Sequence, residues 1–266
     1  MLLELKNINK NYNSGFGIEN ININLSEGET LAIMGHSGSG KSTLLRLIAL
    51  FESPDSGSVI YKGIESNREL LNDLGYIFQR PERQLFEKTA ERDIAFALKR
   101  SGLSKIDVRD RVLKASALAG FPSELLERSP FMLSGGEARR AALAGIYIKN
   151  PKLLLLDEAS SGLDSSSRDK LYSVIMDFRK EGAGIIAATH SSEEAALFDK
   201  LLVLDNGRVR FYGSVSDAFS SSRSAVSLGL EPPFALALSE KLRARGMDVM
   251  VTYKEEELKK ALDLYE

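Results

Sequence analysis

Nine consecutive residues carry the clearest chemistry in this 266-residue chain: Gly35, His36, Ser37, Gly38, Ser39, Gly40, Lys41, Ser42 and Thr43. They match the spacing G-x-x-x-x-G-K-[ST] at every fixed position. Glycines at that spacing let the backbone curl so that its N–H groups converge on a phosphate. A helix N-terminus directly behind the loop adds partial positive charge. Lys41 would reach the β- and γ-phosphates and the Ser42 hydroxyl would ligate Mg²⁺. His36 occupies a variable position and acquires no role of its own. The implied ligand is a nucleoside triphosphate.

Further candidates sit where apolar runs end in polar residues. Residues 153–156 are four leucines followed by Asp157 and Glu158. That pattern suits a buried strand delivering one carboxylate to a Mg²⁺ shell and the next to a water as general base. Residues 74–78 end at Gln79, and residues 184–189 end at His190, the second of only two histidines. Open α/β sheets keep ligands at such strand ends. A lone histidine is often structural, and on position alone the two readings of His190 stand level. Ser134, Gly135 and Gly136 precede a long Ala-rich helix pattern over 138–149, a second helix start that could face an anion. Tyr12 lies beside the turn signal Asn13-Ser14-Gly15. It could stack on a base or simply pack, and position alone favours packing.

The elements that must hold these residues are legible as an α/β pattern. Residues 2–34 read as β, with Ile21, Ile23 and Leu25 alternating with polar residues. Residues 58–61 form a short strand. The stretch from 89 to about 130 shows helical spacing and no strand signal, with Ser104 as an N-cap and Gly120-Phe121-Pro122 as a stop. Asp164 or Ser165 would cap a helix reaching about Lys180. Asn206-Gly207 joins a hairpin of 201–204 and 208–212. The serine-rich 220–224 reads as a linker, and the tail carries a last helix over 255–264. The expected division is a nucleotide core of 1–88 with 151–220, a helical subdomain of 89–150 and an extension of 221–266.

Composition narrows the classes. Lys and Arg number 35 against 37 Asp and Glu, so no bulk charge draws the chain to nucleic acid or anionic lipid. Cysteine is absent, which removes disulfides and thiolate metal sites. No leader pattern opens the sequence, and no apolar run approaches the roughly 20 residues of a membrane span. A soluble or peripheral protein is expected.

Taken together, the loop 35–43, Gln79, Leu133-Ser134-Gly135-Gly136-Glu137, Leu156-Asp157-Glu158, Leu163-Asp164 and His190 resemble the ATPase subunits of ATP-binding cassette (ABC) transporters in type and order. The resemblance covers 2 to about 220. It implies an ABC-type P-loop ATPase with a RecA-like mixed sheet, an N-terminal antiparallel β part, an inserted helical subdomain and a small C-terminal extension. The stretch from Phe78 to Phe86, which reads F-Q-R-P-E-R-Q-L-F, and the tail from Leu228 are similar to the ATPases of energy-coupling factor (ECF) importers, which take up vitamins or transition-metal ions.

The resemblance implies that Tyr12 stacks on adenine and that residues 35–43 hold the phosphates. Ser42 and Gln79 would ligate Mg²⁺, and Asp157 would act through its hydration shell. Glu158 would be the base, with His190 tying it to the γ-phosphate. Ser134, Gly135 and Gly136 would bind ATP held by a second ATPase subunit, like or unlike, with an unlike pair favoured. It further implies a membrane coupling subunit of the EcfT type, a substrate-binding membrane protein, no nucleic acid, and a peripheral place on the cytoplasmic face of the membrane. The loop after Gln79 would meet the membrane partner. Two features depart from the usual pattern: Ala159-Ser160-Ser161 replaces Pro-Thr-Ala, and Glu137 stands where many members have Gln. They leave open two unequal ATP sites. The rivals are a soluble ABC ATPase acting on nucleic acid, a nucleotide-gated module without turnover, and an ABC transporter of another type.

Overall fold

The computed structural model describes residues 1–12, 15–65, 68–99 and 101–263. Two of the three turn residues expected at 13–15, and the final residue of the expected tail helix, lie outside that set. In chain order the elements are β1 (Leu3–Asn11), β2 (Gly17–Leu25), β3 (Thr30–Met34), α1 (Lys41–Ile48), β4 (Ser56–Tyr61), β5 (Ile64–Glu65), α2 (Arg68–Asp73) and β6 (Leu74–Ile77). Then come α3 (Ala90–Ile94), α4 (Lys105–Leu118), α5 (Gly135–Tyr147), β7 (Leu153–Asp157), α6 (Ser165–Lys180) and β8 (Gly184–Ala188). The chain closes with α7 (Ser192–Ala195), β9 (Lys200–Asp205), β10 (Arg208–Ser214), α8 (Val215–Ala218), α9 (Ser222–Ser227), α10 (Phe234–Ala244) and α11 (Glu255–Asp263).

The chain forms two compact units, 1–66 with 186–266, and 67–185. The functional division expected from the sequence follows different lines. In the first unit an antiparallel sheet runs β2-β1-β4-β5. The alternation on β2 is the sequence pattern realised: Ile18, Ile21, Ile23 and Leu25 are buried while the residues between them are polar. A second sheet in this unit is mixed: β10 pairs antiparallel with β9, β9 pairs parallel with β3, and β8 lies on the other side of β3. β3 is buried at every position, as a strand covered on both faces requires.

In the second unit β6 and β7 pair in parallel, Leu74 opposite Leu153 and Ile77 opposite Leu156. Their close approach to the rest of the unit needs Gly75, because a Cβ there would lie 2.9 Å from Pro151. The 89–130 block is helical as expected, but α3 is short and passes into a 3₁₀ turn over Ala95–Leu98. Thr89 and Ser104 are both caps, accepting from the N–H groups of Arg92 and Asp107. Of the two residues expected to cap α6, Asp164 does so, accepting Ser167 N–H at 2.8 Å.

Two expectations change. The long Ala-rich helix starts at Gly135, because Ser134 and Glu137 cap its beginning, and it ends at Tyr147. The serine run at 220–224 is not a linker: Ser221 accepts from Ser224 N–H and starts α9. Serine clusters lower helix propensity, yet an N-cap needs that side chain. No helix among the described residues is long and apolar enough to cross a membrane.

Candidate functional site

The first unit builds the phosphate loop at the end of β3. Gly35 has φ 148° and Gly40 has φ 109°, both closed to ordinary L side chains. Space forbids a side chain as well. A Cβ on Gly35 would meet Leu204 O at 2.3 Å, and one on Gly40 would meet Ile18 Cγ2 at 2.6 Å. Lys41 is buried and bent back over the loop, donating to Gly35 O at 2.8 Å and His36 O at 3.2 Å. The N-cap of α1 is Gly40, so no side chain closes that helix start. Ser39 Oγ is buried without a hydrogen-bond partner among the described residues. An unclosed N-terminus in a curled glycine loop is a cradle for an anion.

His36 hydrogen-bonds Ser37 O at 2.7 Å and lies 3.3 Å from Asp205. Tyr12, just past β1, donates its hydroxyl to Glu52, and its ring lies 6.4 Å from that of Phe16 with planes 16° apart. His190 follows β8 and is exposed. The preceding Thr189 donates its N–H to Ile33 O at 3.0 Å, which holds His190 beside the strand that enters the phosphate loop. The residues after it are also fixed: Thr189 Oγ1 bonds Glu194 at 2.5 Å and Ser192 Oγ bonds Glu231 O at 2.5 Å.

The second unit carries the acidic pair and Gln79. Asp157 ends β7, with its Oδ2 accepting the Tyr76 hydroxyl at 3.2 Å. Glu158 has φ 49°, a left-handed conformation unusual for a residue with a side chain. Its carboxylate accepts Gln79 Nε2 at 3.2 Å. Strain of this kind persists where surrounding structure imposes it, and it gathers at functional sites. Phe78, Gln79, Arg80, Arg83, Gln84 and Asp157 line a cleft of about 760 Å³. The sequence places Gln79 and Glu158 at the ends of separate strands, and within this unit the structure joins them by a hydrogen bond.

Ser134, Gly135 and Gly136 begin α5, also in the second unit. Ser134 Oγ accepts Glu137 N–H at 3.4 Å, and Glu137 accepts Ser134 N–H at 2.7 Å, a reciprocal capping box. The Ser134 backbone N–H is the first cause holding the Glu137 carboxyl below its ordinary value. Among the described residues, a Cβ on Gly135 would meet nothing within 4 Å. Phe131 and Met132, just before this start, are 77% and 73% exposed. Sequence reading missed Glu137 as a cap, although the S-x-x-E spacing signals it. It also missed Glu52, whose tie to Tyr12 has no local signal.

Residues 18–161 match the family model of the ABC transporter. The energy-coupling factor transporter ATP-binding protein EcfA1 of Streptococcus thermophilus is 37% identical over 254 residues, 92% of each chain. EcfA2 of Acetivibrio thermocellus is 37% identical over 234 residues, 86% of this chain and 83% of its own. Among solved structures, cbiO1 from Clostridium perfringens, part of the ABC transporter complex cbiONQ, superposes with a TM-score of 0.75 at 29% identity, covering 92% of this chain and 99% of that one. The dimeric cassette MJ0796 in a post-hydrolysis state with ADP and Pi gives 0.74 at 28% identity, covering 80% and 99%.

Proposed function

The chain belongs to the ABC transporter family, and from that premise we propose that it is the ATP-hydrolysing subunit of an ECF-type importer that takes up a vitamin or transition-metal ion through membrane partners. The observation that carries this reading is the 37% identity to EcfA1 along 92% of both chains. The F-Q-R-P-E-R-Q-L-F stretch around Gln79 and the tail after Leu228 support it.

The residues take these roles. The loop 35–43 binds the triphosphate with its backbone N–H groups, and Lys41 turns from the Gly35 and His36 carbonyls to the β- and γ-phosphates. Tyr12 stacks on adenine. Glu158 takes the proton of the attacking water, with Gln79 orienting its carboxylate. His190 contacts the γ-phosphate. Ser134, Gly135 and Gly136 receive the γ-phosphate of ATP bound to a second ATPase subunit, preferably an unlike one. Supporting that role, no atom of the described residues lies within 4 Å of where a Cβ on Gly135 would stand, so packing against them does not call for the missing side chain.

The donors proposed for Mg²⁺ are all hard oxygens: the Ser42 hydroxyl, the Gln79 amide and the Asp157 carboxylate. They suit an ion that keeps several waters and leans on substrate phosphates. No cluster of three acidic, His or Cys side chains among the described residues offers a cage of its own. Held by these residues, the ion would supply neutralisation of the phosphate charge. In this reading 1–88 with 151–220 is the nucleotide core, 89–150 the helical subdomain and 221–266 an extension for dimer or partner contact. The subunit sits on the cytoplasmic face of the membrane, docked on an EcfT-type coupling subunit beside a substrate-binding membrane protein. Clamping and release of ATP between two ATPases moves that partner.

Affinity purification of the tagged full chain from membranes tests this. The expected result is co-purification of a second ATPase and a small membrane subunit, with ATPase activity that Lys41→Ala abolishes. Recovery of a nucleic-acid-bound or partner-free protein overturns the importer reading.

A further inference from the structure

A chain of side chains joins the aromatic residue assigned to the base with the loop assigned to the phosphates, all within the first unit. Tyr12 donates its hydroxyl to one Glu52 oxygen. The other Glu52 oxygen accepts Arg46 Nε at 2.6 Å. Arg46 lies on α1, and its Nη2 reaches Thr43 Oγ1 at 3.3 Å. Thr43 is the last residue of the phosphate loop. The same connecting segment grips the strand end that bears Tyr12. Asp55 accepts Asn11 N–H at 2.8 Å and Lys10 Nζ at 2.9 Å, and its own N–H donates to Asn9 O at 2.8 Å. Residues 52–55 therefore hold 9–12 from side chain and backbone alike.

The tie contributes direction more than stability. The side chains of Arg46 and Glu52 are 37% and 28% exposed, and ion pairs in contact with water contribute little net stability. The Tyr12 hydroxyl is spent on a carboxylate that is itself fixed by a planar guanidinium, an arrangement that removes ring freedom. Hydrogen bonds from Tyr12 first, and from Arg46, keep Glu52 ionised by lowering its carboxyl below the ordinary value. The Phe16 ring stands near the same place: its Cζ would lie 3.6 Å from a Cβ on Gly40.

We propose that Glu52, oriented by Arg46, is a positioning residue that sets the Tyr12 ring at the spacing from the phosphate loop that a nucleotide base requires, so that it governs affinity for the base separately from affinity for the triphosphate. The inference rests on the reading of Tyr12 as the stacking residue.

The test compares ATP with inorganic tripolyphosphate, which lacks the base, by calorimetric titration of the full-length protein. Tyr12→Ala should weaken ATP by about 5- to 150-fold, the usual worth of one base stack. Tyr12→Phe and Glu52→Ala should each weaken ATP by about tenfold, the double variant should be no worse than either single one, and tripolyphosphate should bind all of them as it binds wild type. Glu52→Gln keeps an acceptor for the tyrosine hydroxyl and should recover most of the lost ATP affinity. Equal weakening of both ligands by Glu52→Ala would mark a plain structural staple and overturn the proposal. So would unchanged ATP affinity in Tyr12→Phe and Glu52→Ala when Tyr12→Ala is weakened. An unchanged Tyr12→Ala would instead remove the stacking role itself.

Discussion

Two helix starts in this molecule are finished in opposite ways. At α1 the glycines are demanded from inside: Gly35 and Gly40 have no room for a Cβ, and the helix has no side-chain cap. At α5 no described residue crowds Gly135, yet Ser134 and Glu137 close the helix start with a capping box. The first leaves its helix N–H groups without a side-chain cap, the form an anion cradle takes. The second is already satisfied alone, with exposed Phe131 and Met132 beside it. The contrast teaches that a glycine-rich helix start is not one device. One is left without a side-chain cap around crowded glycines, and the other is capped by side chains around uncrowded ones.

The substitutions that break this contrast can be ranked. Glu158→Gln should lower ATP turnover by about 10²–10⁴-fold, the range for losing a general base, while nucleotide binding at the α1 cradle survives. Phosphate release measured beside nucleotide titration checks both halves. Lys41→Ala should weaken ATP by about 2–5 kcal/mol, as removal of a charged partner does. Equal losses of ATP and tripolyphosphate in a titration would place that effect at the phosphates.

Ser134→Ala removes a cap, which costs about 0.5–2 kcal/mol of stability in a thermal melt. Its loss of ATP-driven dimerisation, read by light scattering, should exceed what the melt predicts. A dimer as strong as wild type would make α5 an ordinary capped helix.

The smallest effect concerns Glu137. Its carboxyl is held below the ordinary 4.5, first by the Ser134 N–H. Its contribution to stability is therefore fully present above that value and is lost as pH falls through the lowered one. Glu137→Gln should remove this dependence, so the melting difference between wild type and variant should shrink below about pH 4.5. A constant difference would show that the charge is not what the cap uses.

Much of this was legible in the chain itself. Phosphate-loop spacing, the leucine run before Asp157 and the alternation on β2 are local patterns, and local patterns dictate local backbone. The capping box at Ser134 and Glu137 is equally local in its S-x-x-E spacing, but glycines are poor helix formers and set the expected helix start at 138 instead of Gly135. The cap at Ser221 was lost in a serine run that reads as a linker.

What the sequence by itself determined is which residues could meet a phosphate and which strands and helices carry them, since those depend on neighbours a few positions apart. Only the tertiary structure decided that Glu52 holds Tyr12, 40 residues away, and that Gln79 reaches Glu158 across 79 positions. Such pairs are brought together by strand pairing and chain reversal. Their energy is gained only once the entropy of closing those long loops has been met, so no local pattern records them.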